Sequence, residues 1–337
     1  MKVLITGASG FVGQRLVARL LRNPLALTSS PSELILLDVR SLGEPAAQAS
    51  APAMMSPSHA AKPGASEKPN IRWVEGDITD TNILSNALTS PVDYVFHLAS
   101  VPGGATEANY DLGRLANLDG TRLLLDALRT QPKPPVVVFA STIGVFGVPM
   151  PDVIDEDTYP APSLSYGAQK WIGEILIGDY SRRGWIDGRA IRLPGIVARP
   201  PAPSGQLSAF LSNILRELSA GRDFVCPVAA EGKSWWMSVD CCIDNLLYAA
   251  RMSVEPSLVR RTWMLPVLHA SLGEVVAAIA RMHGPEVLGR VRYEPNAKLQ
   301  AQFANYPPIR NPRALAAGFR HDGDLETMIR RALSVEA

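Results

Sequence analysis

The chain opens on Met1-Lys2-Val3-Leu4-Ile5-Thr6-Gly7-Ala8-Ser9-Gly10-Phe11-Val12-Gly13, and this stretch decides the fold. Val3-Leu4-Ile5 is a short apolar run of the kind that forms a strand buried on both faces. Gly7, Gly10 and Gly13 follow, and behind them Leu16, Val17, Leu20 and Leu21 recur at helical spacing. Strand, glycine turn and helix in that order let the backbone approach a pyrophosphate, whose charge meets free N–H groups at the helix N-terminus. Gly7, Ser9, Gly10, Phe11, Val12 and Gly13 therefore read as a phosphate-binding loop.

The alternation repeats downstream. Apolar runs at 34–37, 71–74, 94–98, 136–140 and 190–193 are separated by helical patterns. The expected fold class is α/β, a doubly wound parallel sheet of the Rossmann type. Asp38 closes the second run, where a carboxylate accepts both ribose hydroxyls and repels a 2′-phosphate, so NAD is favoured over NADP; Arg40 nearby softens that preference. Asp77, in Glu75-Gly76-Asp77-Ile78, falls at the same sheet edge. It reads as a partner for the adenine amino group or as a cap for the turn that follows, and the two roles are compatible.

Residues 41–70 hold eight Ala, five Pro, five Ser and two Gly, a composition from which an exposed, disordered insertion in place of a crossover helix is expected. The alternation stops near Pro194, and Pro200-Pro201-Ala202-Pro203 marks a boundary. Residues 1–193 are expected to form the NAD-binding domain. Residues 238–263 pack back on it through the stripe of Ile243, Leu246, Leu247 and Ala250. Residues 194–237 and 264–337 form a smaller C-terminal substrate-binding lobe.

With 33 basic and 32 acidic side chains the net charge is +1, so the chain has no polyelectrolyte character, and nucleic acid and anionic membranes are poor partners. A small-molecule substrate fits better. No apolar stretch is long enough for a membrane helix, and the chain begins on a strand where a signal peptide would show its apolar core; a cytoplasmic protein is expected. Cys226, Cys241 and Cys242 offer no disulfide framework. His97 has no second histidine at ligand spacing, so no metal is expected.

Tyr166-Gly167-Ala168-Gln169-Lys170 puts a phenol and an ammonium one helical turn apart on one face. The run before it ends in Ala140-Ser141-Thr142, which places hydroxyls at the carboxyl edge of the sheet, where ligands of such folds bind. An unperturbed tyrosine, with a pKa of about 10, is a poor base at neutral pH. A neighbouring ammonium and a nicotinamide cation stabilise its phenolate. Tyr166 then takes the proton of a substrate hydroxyl, Lys170 holds the nicotinamide ribose, and Thr142 or Ser141 bonds the substrate oxygen.

These segments, with His97-Leu98-Ala99-Ser100, Asn117-Leu118-Asp119-Gly120-Thr121, Gly147, Arg192-Leu193-Pro194 and the tail Arg313-Ala314 with Gly318-Phe319, resemble the extended short-chain dehydrogenase/reductase family of NAD-dependent epimerases and dehydratases. The resemblance covers nearly the whole chain. It implies that Thr142, with Ser141 beside it, is the hydroxyl member of the catalytic set. Leu98, Ala99 and Ser100 would lie along the cofactor, as would Asp77 and Ile78. Pro194, Gly195 and Ile196 would sit by the nicotinamide amide, and Asn117 would mainly tie helix to strand beside that site. It also implies a homodimer formed through helices around 112–128 and 165–180, with Leu123, Leu124, Ile172 and Leu176 at the contact.

The departures bear on substrate. Members that bind sugar nucleotides carry an Arg, as a diphosphate partner, where this chain has Ser234 in Ser234-Trp235-Trp236-Met237-Ser238-Val239-Asp240. Lys233 is a partial substitute, and the tryptophan pair reads either as the wall of a smaller site or as lobe packing. Segments 101–107, 141–147 and 192–200 are similar to those of members that oxidise a four-carbon sugar acid. The resemblance thus implies NAD-dependent oxidation of the C2 hydroxyl of a small sugar acid to the 2-oxo acid. The alternative is a nucleotide-sugar epimerase or dehydratase that retains its NAD. Arg199, Lys233 and the Gly103-Gly104 loop are candidate carboxylate partners.

Overall fold

A computed structural model describes residues 1–41, 68–201, 207–255, 257–258 and 260–334. Most of the 41–70 insertion and part of the proline-rich boundary lie outside these residues. Five strands lead the chain: β1 (Lys2–Thr6), β2 (Glu33–Asp38), β3 (Asn70–Glu75), β4 (Tyr94–His97) and β5 (Val136–Thr142). With Asp187–Leu193 and Thr262–Met264 they form a seven-stranded sheet in the order Thr262–Met264, Asp187–Leu193, β5, β4, β1, β2, β3. Every neighbouring pair is parallel. The order reverses between β1 and β4, and that switch opens a crevice at the carboxyl edge, directly beyond Thr6 and His97.

Strand alternation sends side chains to two cores. Val3, Ile5, Leu34, Leu36 and Phe96 pack with Leu16 and Leu20 of the helix Phe11–Arg22 and with Ile243 and Leu246 of Val239–Arg251. Leu4, Ile35, Val95, Val137 and Phe139 face the other way, against Leu124, Leu125 and Leu128 of Gly120–Leu128 and Ile177 of Ser165–Arg182. Each fully buried aliphatic side chain contributes about 1.5–3 kcal/mol, which fixes this sandwich firmly behind the crevice. The strand Thr262–Met264 is too short to stand out in the sequence. It is held beside Asp187–Leu193 by buried Arg261, whose guanidinium reaches the Asp187 carboxylate at 2.7 Å.

The second lobe centres on a three-stranded sheet of Leu268–Ser271, Lys233–Ser238 and Gly195–Val197. Helices Phe210–Ser219, Leu272–His283 and Leu325–Leu333 close a core around Trp236. Both tryptophans are fully buried, and their indole N–H groups donate to the carbonyls of Pro307 (Trp235, 2.6 Å) and Ala270 (Trp236, 3.0 Å). Both are packing residues: Trp236 sits in the lobe core, and Trp235 packs against Ile143, Val145 and Phe146 where the lobe meets the end of β5.

Candidate active site

A cavity of about 340 Å³ lies at the carboxyl edge, walled on one side by the glycine loop and β5 and on the other by the second lobe. Gly7 takes φ +72°, and a Cβ there would sit 2.5 Å from the Ala99 nitrogen; one on Gly13 would sit 2.2 Å from the Gly7 carbonyl oxygen. Only glycine lets the loop press this closely on the exit of β4. Gly10 provides no side-chain cap to the helix Phe11–Arg22, and the first turn carries no acidic residue, so its N–H groups face the crevice uncancelled. The Asp38 carboxylate accepts from the Ser9 amide at 2.9 Å, which sets it against the loop at the end of β2. These residues fit a dinucleotide.

Gly7, Gly10, Phe11, Val12, Gly13, Leu98, Ser100, Pro194, Gly195 and Ile196 line the cavity. Ser9, Asp38, Asp77 and Ile78 lie beyond its lining. Asp77 accepts from the Thr79 amide and hydroxyl, both at 2.8 Å, while Asp80 caps the helix Thr81–Ala87. Asn117 does not face the cavity: it sits in a π-helical turn, Arg114–Asp119, where its amide takes the Val101 N–H at 2.7 Å and donates to the Val101 carbonyl at 3.1 Å. It braces the loop that carries Ser100.

The two β5 hydroxyls separate by strand alternation. Ser141 donates to Glu174 at 2.5 Å, and Glu174 receives Arg192 in a bidentate pair at 2.7 and 2.8 Å, all three buried. Ser141 thus lines the cavity beside Thr142 with its hydroxyl proton tied to the buried Glu174–Arg192 pair. Thr142 keeps its oxygen at the cavity, where it accepts from the Gly144 amide at 3.0 Å.

Tyr166 and Lys170 project from the helix Ser165–Arg182 into the same cavity. Burial pushes the Tyr166 phenol up, while hydrogen bonds with the Ser100 and Thr142 hydroxyls and the charge of Arg199 hold it down. Lys170 is almost fully enclosed, its Nζ 4.8 Å over the Phe139 ring and 5.9 Å from the Tyr166 ring centre. That burial lowers its ammonium to about 7. The Arg199 charge also acts on the phenol, a contact that sequence spacing did not reveal. Lys233 is exposed and does not line the cavity.

His97 is a structural residue. Thr121 donates its hydroxyl proton to the Asn117 carbonyl at 2.7 Å, so it accepts from His97 Nε2 at 2.9 Å, and Nδ1 accepts from Thr6 at 2.7 Å. Burial depresses the imidazole to about 3, with a further push from the Lys170 charge. Among the described residues no group of His, Cys, Asp or Glu is placed to hold a metal.

Residues 3–256 match the model of the NAD dependent epimerase/dehydratase family. The chain belongs to this family. It is 37% identical over 335 residues to D-erythronate dehydrogenase of Cupriavidus necator, covering 98% of this chain and 97% of that one. It is 32% identical over 342 residues, with full coverage of both chains, to the D-erythronate dehydrogenase of Haemophilus influenzae. Among solved structures, the nucleoside-diphosphate-sugar epimerase from Agrobacterium tumefaciens superposes with a TM-score of 0.86 at 33% identity, covering 100% of this chain and 94% of that one. The cofactor is NAD, and the chain is an NAD-dependent oxidoreductase.

Proposed function

We propose that the protein oxidises the C2 hydroxyl of a small sugar acid, of the D-erythronate kind, to the 2-oxo acid. The observation that carries this reading is the convergence of Thr142, Tyr166 and Lys170 on one cavity. Tyr166, as phenolate, takes the proton of the C2 hydroxyl, and the Ser100 and Thr142 hydroxyls stabilise it in that form. Thr142 also orients the substrate oxygen as it turns from alcohol to carbonyl. Lys170, enclosed under Tyr166, supplies a proton-exchanging group at the floor of the site. The glycine loop would hold NAD, which when bound would supply the hydride acceptor for C2. Ser234, where sugar-nucleotide members of the family carry Arg, weighs against a diphosphate substrate.

The helical face of Leu112, Leu115, Ile172 and Ile175 is exposed and apolar, which supports a homodimer built on it. Of the four positions read from sequence, Leu124 is core, Leu123 and Leu176 are partly buried against it, and Ile172 is exposed on this face. Ile175→Asp is expected to halve the mass measured by light scattering. An unchanged mass removes this face from the assembly.

Purified protein with NAD should release NADH on D-erythronate or a related four-carbon acid. Conversion of a UDP- or dTDP-sugar without net NADH, and silence on every sugar acid, would overturn the reading.

A further inference from the structure

We infer that Arg199, Ser234 and Gln302 form the acid-recognition wall of this cavity: the Arg199 guanidinium takes the carboxylate of a 2-hydroxy acid, and Ser234 and Gln302 take its distal hydroxyls. The inference rests on the dehydrogenase reading above and names the substrate contacts of that same site.

Charge comes first. The described lining holds two cations, Lys170 and Arg199, and no Asp, Glu or His. A pocket so composed selects an anion. Lys170 is committed to the floor beneath Tyr166 and against Phe139. Arg199 is the cation left for a ligand. Its backbone N–H donates to Ser212 at 3.0 Å, which ties its loop to the helix Phe210–Ser219, and its guanidinium lies 5.5 Å over the Phe11 ring. Among the described residues that guanidinium makes no ion pair, and its buried Nε has no hydrogen-bond partner. A planar fork in this condition matches one carboxylate through two parallel hydrogen bonds.

Two further polar atoms on the same wall are in the same condition. Ser234 is fully buried and its Oγ is unpartnered; the Gln302 Oε1 is buried and unpartnered as well. They come from a strand and a helix far apart in sequence, and both line this cavity. Buried polar atoms left unpaired cost about 1–3 kcal/mol each. Three of them on one wall mark a surface built for a polyhydroxylated ligand.

Position then selects the carbon. Arg199 and Tyr166 line the same cavity, and the Arg199 charge helps to hold the phenol down. In a 2-hydroxy acid the carboxylate and the reacting hydroxyl are on adjacent carbons, so an anchor beside the base presents C2 and no more distant carbon. A diphosphate, with at least two charges, would find one guanidinium here.

The test compares wild type, Arg199→Gln, Arg199→Lys, Ser234→Ala and Gln302→Leu on D-erythronate and on its neutral amide, with NADH affinity measured by fluorescence titration. Arg199→Gln is expected to raise KM for the acid about 30-fold or more, from the loss of a charged hydrogen-bond pair, and to erase the preference for acid over amide. Arg199→Lys restores part of that preference, and Ser234→Ala and Gln302→Leu raise KM about 3- to 10-fold. NADH affinity stays within about twofold throughout, which also shows that each variant is folded. An unchanged acid-to-amide preference in Arg199→Gln overturns the assignment while leaving the dehydrogenase reading intact. So does a loss confined to NADH affinity, which would give the guanidinium to the dinucleotide. If wild type oxidises no free sugar acid, the dehydrogenase reading itself fails and takes this one with it.

Discussion

The two walls of the cavity differ in how they treat buried polar groups. Behind the dinucleotide wall, outside the cavity lining, His97 is held between Thr6 and Thr121, Asn117 is spent on Val101, and Glu174 is closed by Arg192 and Ser141. On the lobe side, Arg199, Ser234 and Gln302 end in buried atoms without partners. One wall is finished within the protein and holds a cofactor common to the whole family with backbone N–H groups and glycines. The other is completed by its ligand. Substrate identity should therefore be read from the second lobe and stability from the first.

The largest effect that sharpens this contrast is at the base. Tyr166→Phe removes the proton acceptor and nothing that holds the fold, so kcat should fall by about 10²–10⁴ with NADH binding and the melting temperature retained. Parallel loss of NADH binding would place Tyr166 in the structural class instead.

Next comes the buried network behind β5. Glu174→Ala leaves the Arg192 guanidinium enclosed without its carboxylate, a loss of about 3–5 kcal/mol in a urea titration. A loss within the range of a surface pair, about 0–1 kcal/mol, breaks the claim that the first wall is self-satisfied.

How much of this was legible in the sequence follows the same division. The glycine loop, Asp38 and the Tyr166–Lys170 pair are local: their spacing is set within one turn or one helix, so sequence carries it. Pattern also carried the parallel sheet, because strands buried on both faces read as unbroken apolar runs. The different partners of Ser141 and Thr142 were within reach, since adjacent residues of a strand face opposite sides. Arg199, Ser234 and Gln302 converge only through tertiary contacts between three segments spread over about a hundred residues, and Gln302 has no signal in its own helix. Trp235 and Trp236 had two readings until their N–H partners on Pro307 and Ala270 were visible. Thr262–Met264 was missed because three residues give no period.

Per pH unit, the smallest effect is the titration of Lys170. Burial takes Lys170 from 10.5 to about 7, while the unfolded chain keeps its proton up to the higher value. Between those limits the unfolded state binds more protons, so this group makes the cofactor-free protein more stable as pH rises. Its contribution is complete above 10.5 and lost as pH falls through about 7. Lys170→Met should flatten that rise, by at most about 1.4 kcal/mol per pH unit, in urea midpoints followed across the window. An identical slope in the variant would mean that the ammonium keeps its solvent in the folded state.

The central claim is hydride removal from C2 of a free sugar acid, and D-erythronate carrying deuterium at C2 tests it most directly. The account expects NADH and the 2-oxo acid in equal amounts, with one deuterium in every NADH released. Unlabelled NADH would move the reaction to another carbon, and no NADH, with a nucleotide sugar converted instead, would contradict the account outright.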